Sequence, residues 1–476
     1  MINRLAIFGA TGDLTARFLL PGLAALHASG LLGEGFRLTG SAREDWDGDR
    51  FRSWAAEQLD HHAAHLPREA RRAVVSASDY RQADVRDAES VGSVVRGDGP
   101  VAAYLALPPV VFPSAVSALR AAGLPAGSLV VLEKPFGEDL ASAASLNRLL
   151  ADGMTEREVF RVDHFLAMTT VQNVLGFRLA NRMLEPIWNS SHIAAVDIVW
   201  EESLALEGRA TYYDGVGALK DMVQNHLLQL LCLAAMEPPV SMGERDLRDR
   251  KVDVLRSIRR MSVREAVQRT RRARYSAGRI GDVDIPAYVD EEGVDPGHPT
   301  ETFAELRLEV ENWRWLGTPF RIRTGKAFGR DRKEVIVRFR DVPHLPSGPA
   351  VHPAPNVLRF GLEPESLSLE LSGVGARVGE LSPLTLTAQM TPPGLPAYGQ
   401  LLLDVLNQNA ALSIRGDEAE ESWRVVTPVL EAWEAGRVPL EEYPAGSAGP
   451  PAAAVPRPAR SADSMSPVAS RAAPRT

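Results

Sequence analysis

A chain of 476 residues with 45% apolar and 24% charged content has the make-up of an ordinary soluble globular protein, long enough for two or three domains. A net charge of −8 offers no basic stripe to nucleic acid or to an anionic membrane, and a single cysteine, Cys232, excludes a disulfide framework or a cysteine-based metal site within one chain. No apolar run approaches the ~18 residues of a membrane helix. The apolar part of Met1–Phe8 is too short for a signal peptide, so a cytoplasmic location is expected.

Leu5–Phe8 reads as a short buried strand, followed by the turn Gly9-Ala10-Thr11-Gly12-Asp13-Leu14 and a helical pattern through Leu26. Glycine between a strand and a helix start lets the backbone approach a pyrophosphate, which the free N–H groups and the helix dipole stabilise. The spacing is not the common G-x-G-x-x-G, and a plain βα turn fits it as well. The second strand, Phe36–Gly40, ends in Ser41-Ala42-Arg43, where a dinucleotide fold meets the adenosine ribose. A guanidinium there suits a 2′-phosphate through paired charge-assisted bonds, so Arg43 argues for NADP over NAD.

Strand-like runs follow at Val101–Leu107, stopped by Pro108-Pro109, and at Ser128–Leu132, stopped by Glu133-Lys134-Pro135-Phe136-Gly137. In a doubly wound sheet such ends line the ligand crevice, which aims Lys134 into the cleft of the glycine turn. Helical stretches near 51–66, 111–122 and 138–152 complete an α/β, Rossmann-like domain over residues 1–165.

The segment Arg161-Val162-Asp163-His164-Phe165-Leu166 is answered by Asp221–Leu230, which carries Asp221, Gln224, Asn225 and His226 beside a leucine-rich face. A helix there would aim a polar cluster into a cleft, with His226 as general base and Asp163 fixing its tautomer. Two satisfied polar histidines at a domain seam fit the spacing equally well.

Beyond residue 165 the rhythm becomes alternating, in 194–200, 302–310, 320–324, 334–339 and 366–371. That pattern predicts a larger α+β domain over 166–443, built on a mostly antiparallel sheet covered on one face by helices near 169–182, 215–236, 245–258 and 399–412. The Pro/Gly-rich stretch Pro343–Pro355 reads as a loop. Residues 444–476 hold almost no large apolar side chain and are expected to be a disordered tail.

Taken together the motifs resemble the glucose-6-phosphate 1-dehydrogenase family. The resemblance runs through Gly9–Leu14, Glu133–Gly137, Arg161–His164, Val171–Asn173, Pro186–Asn189, Tyr212–Asp214, Asp221–Gln229, Ala235–Pro238 and Arg323–Lys326. It implies that His226 takes the proton of an aldose C1 hydroxyl while Asp163 orients it, and that hydride passes from C1 to NADP without a metal. It also implies sugar contacts from Glu202 and Asp221, Lys134 between substrate and cofactor, and Lys326 and His164 at the sugar's far end. A cis peptide before Pro135 and a homodimer or homotetramer assembled through the larger sheet belong to the same expectation.

The chain departs from the family pattern where the phosphate would bind. Met168 stands in place of a lysine, Phe165 in place of a tyrosine, Phe18 in place of another lysine and Asp331 at an often basic position, although Arg330 and Arg332 flank it. Each lost charge-assisted bond removes roughly 1.5–3 kcal/mol from phosphate binding. Three readings follow: a glucose-6-phosphate dehydrogenase using His164, Lys326 and a nearby arginine; a C1 dehydrogenase of an unphosphorylated or C6-modified hexose; or a non-catalytic nucleotide-binding paralogue. The joint presence of Asp163, His226, Lys134, Glu202 and Asp221 weighs against the last, and the family default favours the first.

Overall fold

The strands are β1 (Arg4–Phe8), β2 (Arg37–Ser41), β3 (Ser78–Tyr80), β4 (Ala102–Leu105), β5 (Leu129–Glu133), β6 (Val159–Val162), β7 (Ile193–Glu201), β8 (Thr270–Ser276) and β9 (Gly278–Ile280). They continue as β10 (Val283–Ile285), β11 (Phe303–Glu309), β12 (Pro319–Gly325), β13 (Arg332–Phe339), β14 (Val357–Glu363), β15 (Glu365–Val374), β16 (Leu381–Gln389) and β17 (Leu440–Pro444). They come from a computed structural model that describes residues 1–206, 208, 210–345, 353–375, 380–390 and 394–451.

The first six strands form one parallel sheet in the order β3-β2-β1-β4-β5-β6. Strands covered on both faces need no polar side, which is why Ala102–Leu105 and Leu129–Glu133 are buried throughout. The order reverses between β1 and β4, and that is where a doubly wound sheet opens a crevice at its carboxyl edge. The helices Gly48–His62, Phe112–Ala122 and Leu140–Ala151 occupy the expected places. β3 and the helices Arg68–Ser76 and Ala88–Val95 add elements too short for a periodic signal.

Nine strands make the second sheet, in the order β16-β15-β14-β13-β7-β12-β11-β8-β17. All its pairs are antiparallel except β7 with β12 and β8 with β17. One face sets Val196, Ile198, Phe320, Ile322, Val335 and Val337 into the core shared with the helices. On the other face Asp197 lies between Arg321 at 2.9 Å and Arg338 at 3.0 Å, a cross-strand charge ladder.

One helix goes elsewhere than expected. Ala397–Leu406 packs on the parallel sheet's domain, with Leu401, Leu402, Val405 and Leu406 buried among Leu19, Leu20 and Leu23. A Cβ on Gly22 would stand only 3.1 Å from the amide nitrogen of Gly399, so these helices cross on their glycines. The Ile2 amide closes the seam by donating to the Leu406 carbonyl at 2.7 Å. The apolar stripe was legible; its choice of sheet depended on that glycine pair.

The expected tail also needs correction at its start. Residues 444–451 are held by hydrogen bonds, among them Gly446 N–H to Ala327 O at 2.8 Å and Gly329 N–H to Ser447 O at 2.9 Å. Residues 452–476 lie outside the described residues, as does the centre of the 343–355 loop. Among the described residues no helix is long and apolar enough to cross a membrane. Leu402→Ala, at the helix seam, is expected to lower unfolding free energy by ~2–5 kcal/mol in a denaturant titration.

Candidate active site

The two sheets meet through their strand ends. β5 and β6 deliver Lys134, Asp163 and His164 just past their carboxyl ends. In the second sheet β7 and β12 run parallel with Glu201 opposite Gly325, so the next residues, Glu202 and Lys326, emerge side by side. The Lys326 ammonium donates to Glu202 Oε2 at 2.8 Å, and the Trp200 indole N–H to Glu202 Oε1 at 3.2 Å.

His226 enters this space from Leu219–Leu227, a π-helical segment that continues as the α-helix Leu228–Ala235. Bonds from i to i+5 turn the chain less per residue than an α-helix, which brings residues five apart, such as Asp221 and His226, toward one side. An α-helix would have set Asp221 beside Asn225, four residues on. Asn225 instead satisfies the widened backbone, its amide donating to Lys220 O at 3.0 Å.

Asp163 and His226 are in direct contact, Oδ1 to Nδ1, at 2.5 Å, and both side chains are buried. Asp163 Oδ1 also accepts from the Phe165 amide at 3.0 Å. Burial alone would raise the Asp163 carboxyl, but the charge and hydrogen bond of His226 outweigh it and hold it at about 2. Burial pushes His226 below the usual histidine range, and Asp163 opposes that shift without reversing it. The imidazole is thus a neutral base with Nδ1–H directed to Asp163 and its lone pair on Nε2. Phe165 stacks on that ring with centroids 3.8 Å apart and planes within 10°, and its own far side meets Trp200 at 4.3 Å.

Lys134 is joined to Pro135 by a cis peptide, as expected, and donates to Asp221 at both the carbonyl, 2.9 Å, and Oδ1, 3.2 Å. Burial would raise Asp221, but Lys134 and then Lys326 draw it down to about 2. A cavity of about 300 Å³ beside this pair is lined by Lys134, Asp221, Asn225, Lys220, Tyr212 and Trp423, among others.

Sequence reasoning missed an aromatic row. Phe18 meets Tyr398 at 5.0 Å, and Tyr398 stacks on His164 at 5.4 Å with planes 18° apart. Tyr398 rides on the helix expected elsewhere, so no local signal pointed to it. Behind it Glu133 is buried and accepts from the Tyr104 hydroxyl at 2.5 Å; burial raises its carboxyl to about 7. Burial, then His226, depresses His164 to about 3, so its ring is neutral.

The departures from the family pattern are all accounted for. Asp331 Oδ1 accepts from the Ser203 amide and hydroxyl at 2.6 and 2.8 Å, and Arg332 pairs with Glu201 at 3.1 Å. Met168 is partly buried against the core and Phe18 lies on Tyr398. Arg330 is exposed, with no ion pair among the described residues.

At the crevice of the parallel sheet, Gly9 has φ +84° and a Cβ there would fall 2.1 Å from Ala106 O, so the turn requires glycine. The Gly9 amide donates to Ser41 O at 2.8 Å, which ties the turn to the end of β2, two residues before Arg43. Arg43 is exposed and its side chain forms no ion pair among the described residues. Asp13 pairs with Arg17 at 3.5 Å on the surface, Leu14 packs against the domain core, and Thr11 and Gly12 complete the turn. Among the described residues the metal-ligand types gather at Asp163, His164 and His226, with donor atoms within 4.8 Å, but two of these are already hydrogen-bonded to each other.

The depressed histidine has a linkage consequence. His164 has a folded-state pKa of about 3 against an ordinary 6.5, so its contribution is fully present above pH 6.5 and is lost as pH falls toward 3. Urea titrations should show His164→Phe gaining stability relative to the parent as pH drops below 6.5; a gap independent of pH would contradict the neutral ring.

Two family profiles match the chain: "Glucose-6-phosphate dehydrogenase, NAD binding domain" over residues 6–173 and "Glucose-6-phosphate dehydrogenase, C-terminal domain" over residues 175–458. The glucose-6-phosphate 1-dehydrogenase of Zymomonas mobilis is 37% identical, covering 94% of this chain and 96% of the relative. That of Mycolicibacterium smegmatis is 39% identical, covering 93% of each. A solved glucose-6-phosphate dehydrogenase in complex with its substrate superposes with a TM-score of 0.85 at 30% identity, over 94% of this chain and 96% of the other. The Mycobacterium avium glucose-6-phosphate 1-dehydrogenase superposes with a TM-score of 0.84 at 32% identity, over 94% and 95%. With both domains matched and the relatives aligned along nearly the whole length, the chain belongs to the glucose-6-phosphate dehydrogenase family.

Proposed function

We propose that the protein oxidises C1 of D-glucose 6-phosphate to 6-phospho-D-glucono-1,5-lactone, with NADP as acceptor. The observation that carries this reading is the 2.5 Å contact of Asp163 with His226, set beside Lys134 in the cleft between the two sheets. The relatives' named activity and the substrate of the solved homologue agree with it.

The residues present fit a nicotinamide dinucleotide: a glycine turn that a Cβ would block, at the strand-order reversal, with an exposed guanidinium beyond β2. That guanidinium, Arg43, favours the 2′-phosphorylated form. When bound, the nicotinamide supplies the acceptor for the hydride that C1 loses. His226 Nε2 takes the C1 hydroxyl proton, and Asp163 stabilises the imidazolium that results. Glu202 and Asp221 bind sugar hydroxyls, Lys134 bridges sugar and cofactor, and Lys326 and His164 meet the far end. Burial of Asp163 and His226 keeps water from competing for their hydrogen bond. The same reading carries a cytoplasmic location and a homodimer or homotetramer assembled through the open, charged face of the nine-stranded sheet.

A second reading, an aldose uncharged at C6, draws support from specific contacts. Lys134 and Lys326 are each paired with a carboxylate, His164 is neutral, and Phe18 and Met168 present no charge. Initial rates with NADP or NAD, each with glucose 6-phosphate or free glucose, decide among these. The highest kcat/KM is expected for NADP with glucose 6-phosphate; a higher value for free glucose would overturn the phosphate, and for NAD the role of Arg43. Met168→Lys should raise the preference for the phosphorylated sugar about tenfold, one charge-assisted bond's worth; an unchanged ratio would remove Met168 from the pocket. His226→Asn should lower kcat by ~100-fold or more while sugar binding by calorimetry persists.

A further inference from the structure

Three side chains must be aligned for proton removal: Asp163, His226 and Lys134. They lie on three separate elements, and none of the hydrogen bonds among their own side chains fixes the underlying backbones. One stretch of the chain reaches all three elements, two directly and the third through a lysine. At Ser413 and Ile414 it runs against β6, where the Ser413 hydroxyl accepts from Arg161 N–H at 3.1 Å and the Ile414 amide donates to Arg161 O at 2.9 Å, two residues before Asp163. It then becomes the helix Gly416–Glu434. From that helix the Trp423 indole N–H donates to Phe136 O at 3.1 Å, two residues after Lys134, and Trp423 also lines the cavity beside Lys134.

The third contact is a buried relay. Glu418 and Lys251 form an ion pair at 2.8 Å with neither side chain exposed. Lys251 donates onward to Gln229 Oε1 at 2.9 Å, and Gln229 is buried three residues beyond His226, at the start of the α-helix that extends the π segment. Burying two charges carries a desolvation penalty that a well-packed apolar pair of equal volume avoids. What an apolar pair lacks is direction. A hydrogen bond to one amide oxygen fixes the rotation of the helix about its axis, and with it the aim of the imidazole.

We propose that the segment Ser413–Trp423 is the alignment brace of the active site, and that Gln229, Lys251, Glu418 and Trp423 are positioning residues for His226 and Lys134. The proposal rests on the dehydrogenase reading for its kinetic consequence and on geometry for its structural one. Small misplacement of an oriented base lowers turnover steeply while leaving ground-state binding intact.

The test uses the full-length protein with Gln229→Leu and, separately, Trp423→Phe. Each variant is read for thermal stability, for kcat and KM with glucose 6-phosphate and NADP, and for the His226 titration followed on its imidazole Hε1 resonance. For folded Gln229→Leu we expect kcat to fall about tenfold or more with KM changed by less than about threefold, and the His226 titration midpoint to move. Trp423→Phe should lower kcat in the same way and leave that midpoint in place, because its contact is to the Lys134 loop. A folded Gln229→Leu with parental kcat and midpoint would overturn the proposal; should it fail to fold, a folded Trp423→Phe with parental kcat overturns it instead. Absence of turnover in the parent would sink the functional reading alone, because a shift of the His226 midpoint without substrate still reports the brace.

Discussion

The structure depends on keeping one short hydrogen bond, Asp163 to His226, intact in a place where water does not reach either partner. A buried carboxylate is unstable unless something charged or hydrogen-bonding faces it, and a buried imidazole resists protonation for the same reason. Here each corrects the other: His226 keeps Asp163 ionised, and Asp163 keeps His226 in the tautomer whose free nitrogen can accept a proton. Phe165, stacked flat on the ring, removes the remaining rotational freedom. The lysines obey the same rule, Lys134 facing Asp221 and Lys326 facing Glu202, so the cleft holds its charges in pairs.

That arrangement follows from two sheets meeting end to end. A parallel sheet exposes the carboxyl ends of its strands at one edge, and the single parallel pair in the centre of the mixed sheet, β7 with β12, presents two such ends together. Glu202 and Lys326 therefore arise from neighbouring strands although they are far apart in sequence. The π segment supplies the remaining residues, Asp221 and His226. Because its turn is wider than an α-turn, Asp221 and His226 reach the same cleft from one helix.

Much of this was legible in the residues. The glycine turn, the strand ends at Glu133–Gly137, the Asp-His segment and the alternation of β7, β11, β12 and β13 each carried a local signal. Other parts had none. β8 reads Thr-Arg-Arg-Ala-Arg-Tyr-Ser and hides its inward face, because buried Arg272 is accommodated by donating to Val438 O at 3.1 Å and lying over Trp433. An α-helix and a π-helix share one composition, so the five-residue spacing at Asp221 and His226 went unread. Tyr398 and Trp423 act at the site through long-range packing decided by a glycine crossing and a buried ion pair, which periodicity does not encode.

The central claim is that the Asp163 carboxylate makes His226 a base. Asp163→Asn preserves size and removes the charge, so single-turnover reduction of NADP by saturating glucose 6-phosphate reads the claim directly. A fall of about a hundredfold or more, with sugar affinity within a few-fold of the parent, is what a carboxylate-oriented base requires. A variant that reduces NADP at close to the parental rate would contradict it.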